Sequence, residues 1–117
     1  MSYQEAINQE IGNIIKQVQY IEWNLLSRLG MDTFEAMTLG QIIGLIRSKR
    51  VIHQSAIDEL EKILERRNDL VHVYFKRKDF EKHAYNEAFL DSELRYLRNF
   101  SNQVNNFNNW LVSQKLG

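Results

Sequence analysis

The side chains best equipped for chemistry lie together in one short stretch, "ERRNDLVHVYF", residues 65–75. Arg66 and Arg67 carry permanent positive charge, and His72 can give or take a proton near neutral pH. Asn68 and Asp69 can orient an imidazole or meet a phosphate oxygen. This set suits reaction at a phosphodiester: a guanidinium for the negative charge that builds on the phosphate, an imidazole for the proton in flight. The spacing alone selects nothing. An arginine followed after four to six residues by a histidine occurs with Arg47 and His53, with Arg77 and His83, and with His72 after either Arg66 or Arg67.

Context chooses among them. On a helix, a residue's neighbours are those three and four positions away. For Arg67 these are Ile63, Leu64, Leu70 and Val71, all apolar, so its guanidinium is expected on the buried face, where it needs a counterpart. Arg66 has Lys62, Ile63, Asp69 and Leu70 around it and reads as a boundary residue. His72 has Asn68 and Asp69 one turn before it, which can fix its orientation. Five residues of ideal helix set Arg67 and His72 roughly 140° apart, so one undistorted copy does not focus both on one atom. Two copies facing across a two-fold axis can.

The flanking charge also favours a phosphate. Between Arg66 and Lys78 stand five cations, Arg66, Arg67, Lys76, Arg77 and Lys78, against one anion, Asp69. Tyr74 and Phe75 are interleaved with them as surfaces on which an unpaired base can stack. His53 and His83 have no such company and are expected at the surface or in loops. No Glu-x-x-His pair or acidic cluster suggests a metal, and no cofactor is expected. Trp23 and Trp110 are expected in the core or at an interface.

Helices must position these residues. Proline is absent, and Ser2 with Glu5, Thr38 with Gln41 and Ser55 with Asp58 are start signals in which a side chain serves free backbone amides. Ile7, Ile11, Ile14, Val18, Ile21 and Leu25 form one continuous stripe, closed by Gly30. Leu39, Ile42, Ile43 and Ile46 make a shorter one, with Gly40 and Gly44 one turn apart as a place for close helix approach. Ile57, Leu60, Ile63, Leu64, Leu70 and Val71 define the helix that carries the arginines. Residues 76–91 read as a connector with a turn or two of helix. A last helix runs through Leu94, Leu97, Val104, Phe107 and Leu111, in spite of the asparagine-rich "NQVNNFNNW". The expected fold is all-α, a single-domain bundle of four to five helices over residues 1–117.

Composition narrows the function classes. Fifteen Lys and Arg balance fifteen Asp and Glu, which argues against a bulk electrostatic binder of DNA or membrane and confines any nucleic-acid contact to a local patch. With no cysteine there is no disulfide framework. The amino-terminal segment lacks the pattern of a signal peptide, and no apolar run approaches about 20 residues, so a cytoplasmic protein without a membrane partner is expected.

On "RNDLVH", set towards the end of a helix and preceded by a long first helix and "TLGQII", the chain resembles the HEPN domains, small helical bundles of bacterial defence and toxin systems. The resemblance implies a metal-independent endoribonuclease that acts on RNA as a homodimer, two motifs forming one cleft. It implies catalytic roles for Arg67, Asn68 and His72, beside which the basic and aromatic patch offers Arg66, Lys76, Arg77, Lys78 and Tyr74 as contacts to RNA. In the toxin subgroup a tyrosine two places after the histidine is nucleotidylated by an antitoxin partner, and Tyr74 stands there. The chain departs from that subgroup at Lys78, where an aspartate is usual. The other reading is a catalytically silent helical module that binds nucleotide, RNA or a protein partner in the same cleft.

Overall fold

The computed structural model describes residues 2–30, 37–50, 52–78 and 80–114. It is all-helical over these residues: α1 (Tyr3–Arg28), α2 (Leu39–Lys49), α3 (Gln54–His72), α4 (Tyr74–Lys78) and α5 (Glu87–Ser113). The all-α bundle expected from periodicity is what the chain forms. No helix among the described residues is long and apolar enough to cross a membrane.

Local chemistry sets most of the boundaries. Ser2 Oγ accepts from the Glu5 amide at 3.1 Å. Thr38 and Gln41 exchange both bonds of a capping box, at 2.9 and 3.2 Å. Gly30 ends α1 at φ 73°, where a side chain would be strained. The start of α3 differs from expectation. Its cap is His53, whose Nδ1 accepts from the Ser55 amide at 3.1 Å, while Asp58 instead accepts from the Gln54 side chain. The last helix begins at Glu87, capped by Asn86, several residues before its first clear apolar repeat. Gly40 is not a point of close helix approach: a Cβ there would meet Leu64 only at ordinary contact distance, 3.7 Å. At Gly44 a Cβ would meet nothing within 4 Å.

The two long helices run side by side in the same direction. Tyr3 donates to Asp91 Oδ1 at 3.4 Å, Asn24 to Asn108 Oδ1 at 2.8 Å, and Arg28 to the Gln114 carbonyl at 2.6 Å. The sequence separations of these pairs, 88, 84 and 86, stay nearly constant, as a parallel pair requires. The asparagines that make "NQVNNFNNW" a poor helix on propensity thus include one that joins it to α1. Two parallel neighbours need a return path between them, and α2, α3 and α4 supply it. α3 runs opposite to α5: Glu59 accepts from Gln103, and Arg66, further along α3, lies over the earlier Tyr96 and Phe100.

The core lies where these helices meet. Ile14, Val18, Ile21 and Leu25 of α1, Leu39, Ile42 and Ile46 of α2, Leu60 and Ile63 of α3, and Leu97, Phe100, Val104 and Leu111 of α5 are almost completely buried. Each such side chain stabilises the fold by about 1.5–3 kcal/mol before chain entropy is counted.

Candidate functional site

The last two turns of α3 carry Arg66, Arg67, Asn68, Asp69 and His72, and the helix ends at His72 with Val73 as its cap. A cationic side chain in the last turn is favoured by the carbonyl end of the helix dipole. His72 is exposed.

The two arginines point to different neighbours. Arg67 is half-buried on the side of α3 that looks towards Glu22 of α1, and its Nη1 donates to Asn68 Oδ1 at 3.1 Å. Burial pushes the Glu22 carboxyl above the usual carboxylate range, and the Arg67 charge pulls in the opposite direction. The Arg67 charge is thus within electrostatic range of a carboxylate on another helix. Val71, counted among the apolar neighbours of Arg67, is half-exposed, so the stripe is open to solvent at this end.

Arg66 is half-buried and held on three sides. Its guanidinium lies 4.4 Å from the centre of the Phe100 ring and 5.0 Å from that of Tyr96, and its Nη1 donates to Gln103 Oε1. Gln103 in turn donates to Glu59 at 2.8 Å. A cleft of about 470 Å³ opens beside it between α3 and α5, lined by Lys62, Glu65, Arg66, Asp69, Tyr96 and Gln103. The simple boundary position expected for Arg66 therefore understates it, because three α5 side chains fix the guanidinium.

Three expectations change. Asn68, expected to orient the imidazole, gives its oxygen to Arg67. Tyr74, expected as a base-stacking surface, is a core residue at 1 % exposure. Its ring packs edge-on against Phe80 and Tyr96, and its hydroxyl donates to the buried Glu93 at 3.2 Å. A base cannot stack on a ring enclosed in this way, and an enzyme reaches that hydroxyl only if α4 comes away from the bundle. The surface aromatic is its neighbour Phe75, nearly half-exposed. Thirdly, Trp23 and Trp110 lie outside the core, at 53 % and 37 % exposure, which leaves the interface half of that expectation.

Lys76 is exposed on α4. Arg77 and Lys78 belong to the same helical turn, but their side chains fall outside the described part, and so does any phosphate contact expected of them. His53 caps α3, and His83 stands beside Phe89 with ring centres 4.7 Å apart. Sequence reasoning missed Glu22, Tyr96 and Gln103. The periodicity places each on a helix, but nothing local says which arginine it meets.

Arg66 and Arg67 thus hold positive charge on two sides of one helix, with an exposed imidazole at its end. The chain matches no protein-family model, no curated protein and no solved structure.

Proposed function

We propose that this chain is a metal-independent endoribonuclease of the HEPN type, acting on single-stranded RNA as a toxin or defence effector. The observation that carries the reading is the exposed His72 at the end of α3, with Arg67 held one turn earlier by Asn68. A ribose 2′-hydroxyl attacks the adjacent phosphate, so the 2′-oxygen to phosphorus bond forms as the bond from phosphorus to the 5′-oxygen breaks. One imidazole takes the hydroxyl proton and a second gives a proton to the leaving 5′-oxygen, leaving a 2′,3′-cyclic phosphate and a free 5′-hydroxyl. Arg67 stabilises the charge on the phosphorane. Each chain has one histidine at this place, so two proton transfers call for a dimer that brings two copies of His72 to one phosphate. Asn68 acts through Arg67 as a positioning residue, and Phe75 replaces Tyr74 as the exposed ring beside the site.

A second reading, a silent module that binds RNA or nucleotide without cutting it, draws on the Arg66 cleft, which lies between α3 and α5 and needs no proton transfer to bind an anion. Incubation of purified protein with single-stranded RNA in the presence of chelator separates the two. Cleavage by the wild type, and its loss in both His72→Ala and Arg67→Ala, supports the enzyme. Binding without cleavage sinks it in favour of the module.

A further inference from the structure

The outer face of α1 is nearly free of charge, as is the exposed face of α5 from Asn99 to Ser113. Between Asn8 and Ser27 its exposed residues are Asn8, Gln9, Gly12, Asn13, Ile15, Lys16, Gln19, Tyr20, Trp23 and Ser27, and Lys16 is the only charge among them. The exposed face of α3 shows the contrast, with Asp58, Glu61, Lys62 and Glu65 in less than half that length. The α1 face also shows three large apolar side chains to solvent: Ile15 at 38 %, Tyr20 at 46 % and Trp23 at 53 %. Aromatic side chains with few charges are the composition of the centre of a protein interface.

Gly12 adds an independent observation. It sits in mid-helix, where glycine is among the poorest residues, and its φ is not positive. A Cβ there would meet nothing within 4 Å, so no contact within the fold requires its absence. A notch on an exposed face is useful to something that approaches from outside.

Gly12, Lys16, Gln19 and Trp23 recur at spacings of four, three and four, which lays them along one stripe. From this stripe we propose that two copies of the chain pack α1 against α1, antiparallel across a two-fold axis, with Trp23 of each seated over Gly12 of the other. The same register sets Lys16 opposite Gln19, and the axis passes between Gln17 and Val18. The largest side chain on the stripe, Trp23, then faces the smallest, Gly12. The Lys16 ammonium, 5.7 Å from the centre of its own Tyr20 ring, is already drawn along the helix towards Tyr20. A second copy suits this face better than a charged partner or RNA, because the stripe has almost no charge to offer and its pattern is complementary to itself.

The interface stands whether or not RNA is cleaved, and it bears on the proposed site. Glu22 of α1 lies within electrostatic range of Arg67 of α3, and the two helices run in opposite directions. Five residues beyond Arg67, His72 comes level with Gln17, beside the proposed axis. Both copies of His72 are then at one height.

The chain has no cysteine, which makes a register test direct. Sedimentation of the full chain over a range of concentrations is expected to show a reversible dimer. Gly12→Leu, which fills the notch, and Trp23→Ala, which empties it, should each weaken that dimer by at least about tenfold. Gly12→Leu should keep its helical circular dichroism, and Gly12→Ala should raise the melting temperature of the monomer at low concentration. The double variant Lys16→Cys with Gln19→Cys should oxidise to a covalent dimer, and a variant with both cysteines on α5, Asn102→Cys with Asn109→Cys, should not. A chain that stays monomeric, or a dimer indifferent to either Gly12→Leu or Trp23→Ala, overturns the proposal. A dimer that leaves RNA intact keeps the interface and removes the ribonuclease reading, whereas cleavage by a dimer indifferent to Gly12→Leu and Trp23→Ala keeps the ribonuclease reading and removes this interface.

Discussion

The guanidinium of Arg66 lies across the ring of Phe100 at 4.4 Å, a contact between the charged end of α3 and the middle of the antiparallel α5. Together with the Tyr96 ring and the Gln103 hydrogen bond, it ties the helix that carries His72 to the longest helix of the fold. The residue one place on, Arg67, takes no part in this and lies within electrostatic range of Glu22 of α1. Two adjacent arginines thus have separate tasks.

Arg66→Ala should therefore cost stability. Losing a partly desolvated cation–π contact and a hydrogen bond to a charged group amounts to about 1–3 kcal/mol. Arg66→Lys should recover only part of it, because an ammonium cannot lie flat on both rings and meet Gln103 as well. Urea denaturation of the three proteins measures the ranking.

His72→Ala should be close to neutral for stability, within about 0.5 kcal/mol, since the side chain is exposed at a helix end. RNA cleavage should fall by at least about a hundredfold, the scale of a lost proton-transfer group. Equal unfolding curves with unequal cleavage rates would show that the loss is chemical.

Tyr74 is protected by the fold and Tyr85 is not, with exposures of 1 % and 98 %. Nitration of the native protein, followed by peptide mapping, should label Tyr85 and spare Tyr74 until the chain unfolds. Tyr74→Phe should cost about 1–3 kcal/mol, because the buried Glu93 carboxylate loses a hydrogen-bond donor.

Glu22 makes a prediction about pH. Its carboxyl is raised by burial, so the folded state holds that proton more tightly than the unfolded chain does. The native state then binds more protons than the unfolded state between the ordinary carboxylate value and the raised one. This group's contribution is most favourable below that window and declines as pH rises through it. Glu22→Gln should remove that part of the pH dependence. The melting temperature of the variant relative to the wild type should be lowest near pH 4 and should rise towards pH 7. A shallower acid-side fall on substitution would mean that the attraction of the Arg67 charge outweighs burial.

Much of this protein was legible in its sequence because the deciding interactions are local. The stripes from Ile7 to Leu25 and from Leu94 to Leu111 follow from the helical repeat, and the Thr38–Gln41 box lies within one turn. Gly30 closes α1 because its backbone tolerates a positive φ. The gathering of Arg66, Arg67, Asn68 and His72 on one helix end is equally local. What the sequence left open were partners many residues away: Gln103 for Arg66, Glu22 for Arg67, and Glu93 for Tyr74. Periodicity says which side of a helix is apolar, but the neighbour on that side depends on helix order and direction. The parallel pairing of α1 with α5, and the return of α3 against α5, decided those neighbours. The same packing put Tyr74 inside and Phe75 outside, since consecutive residues on a helix point about 100° apart and only the position of α5 determined which of them was covered.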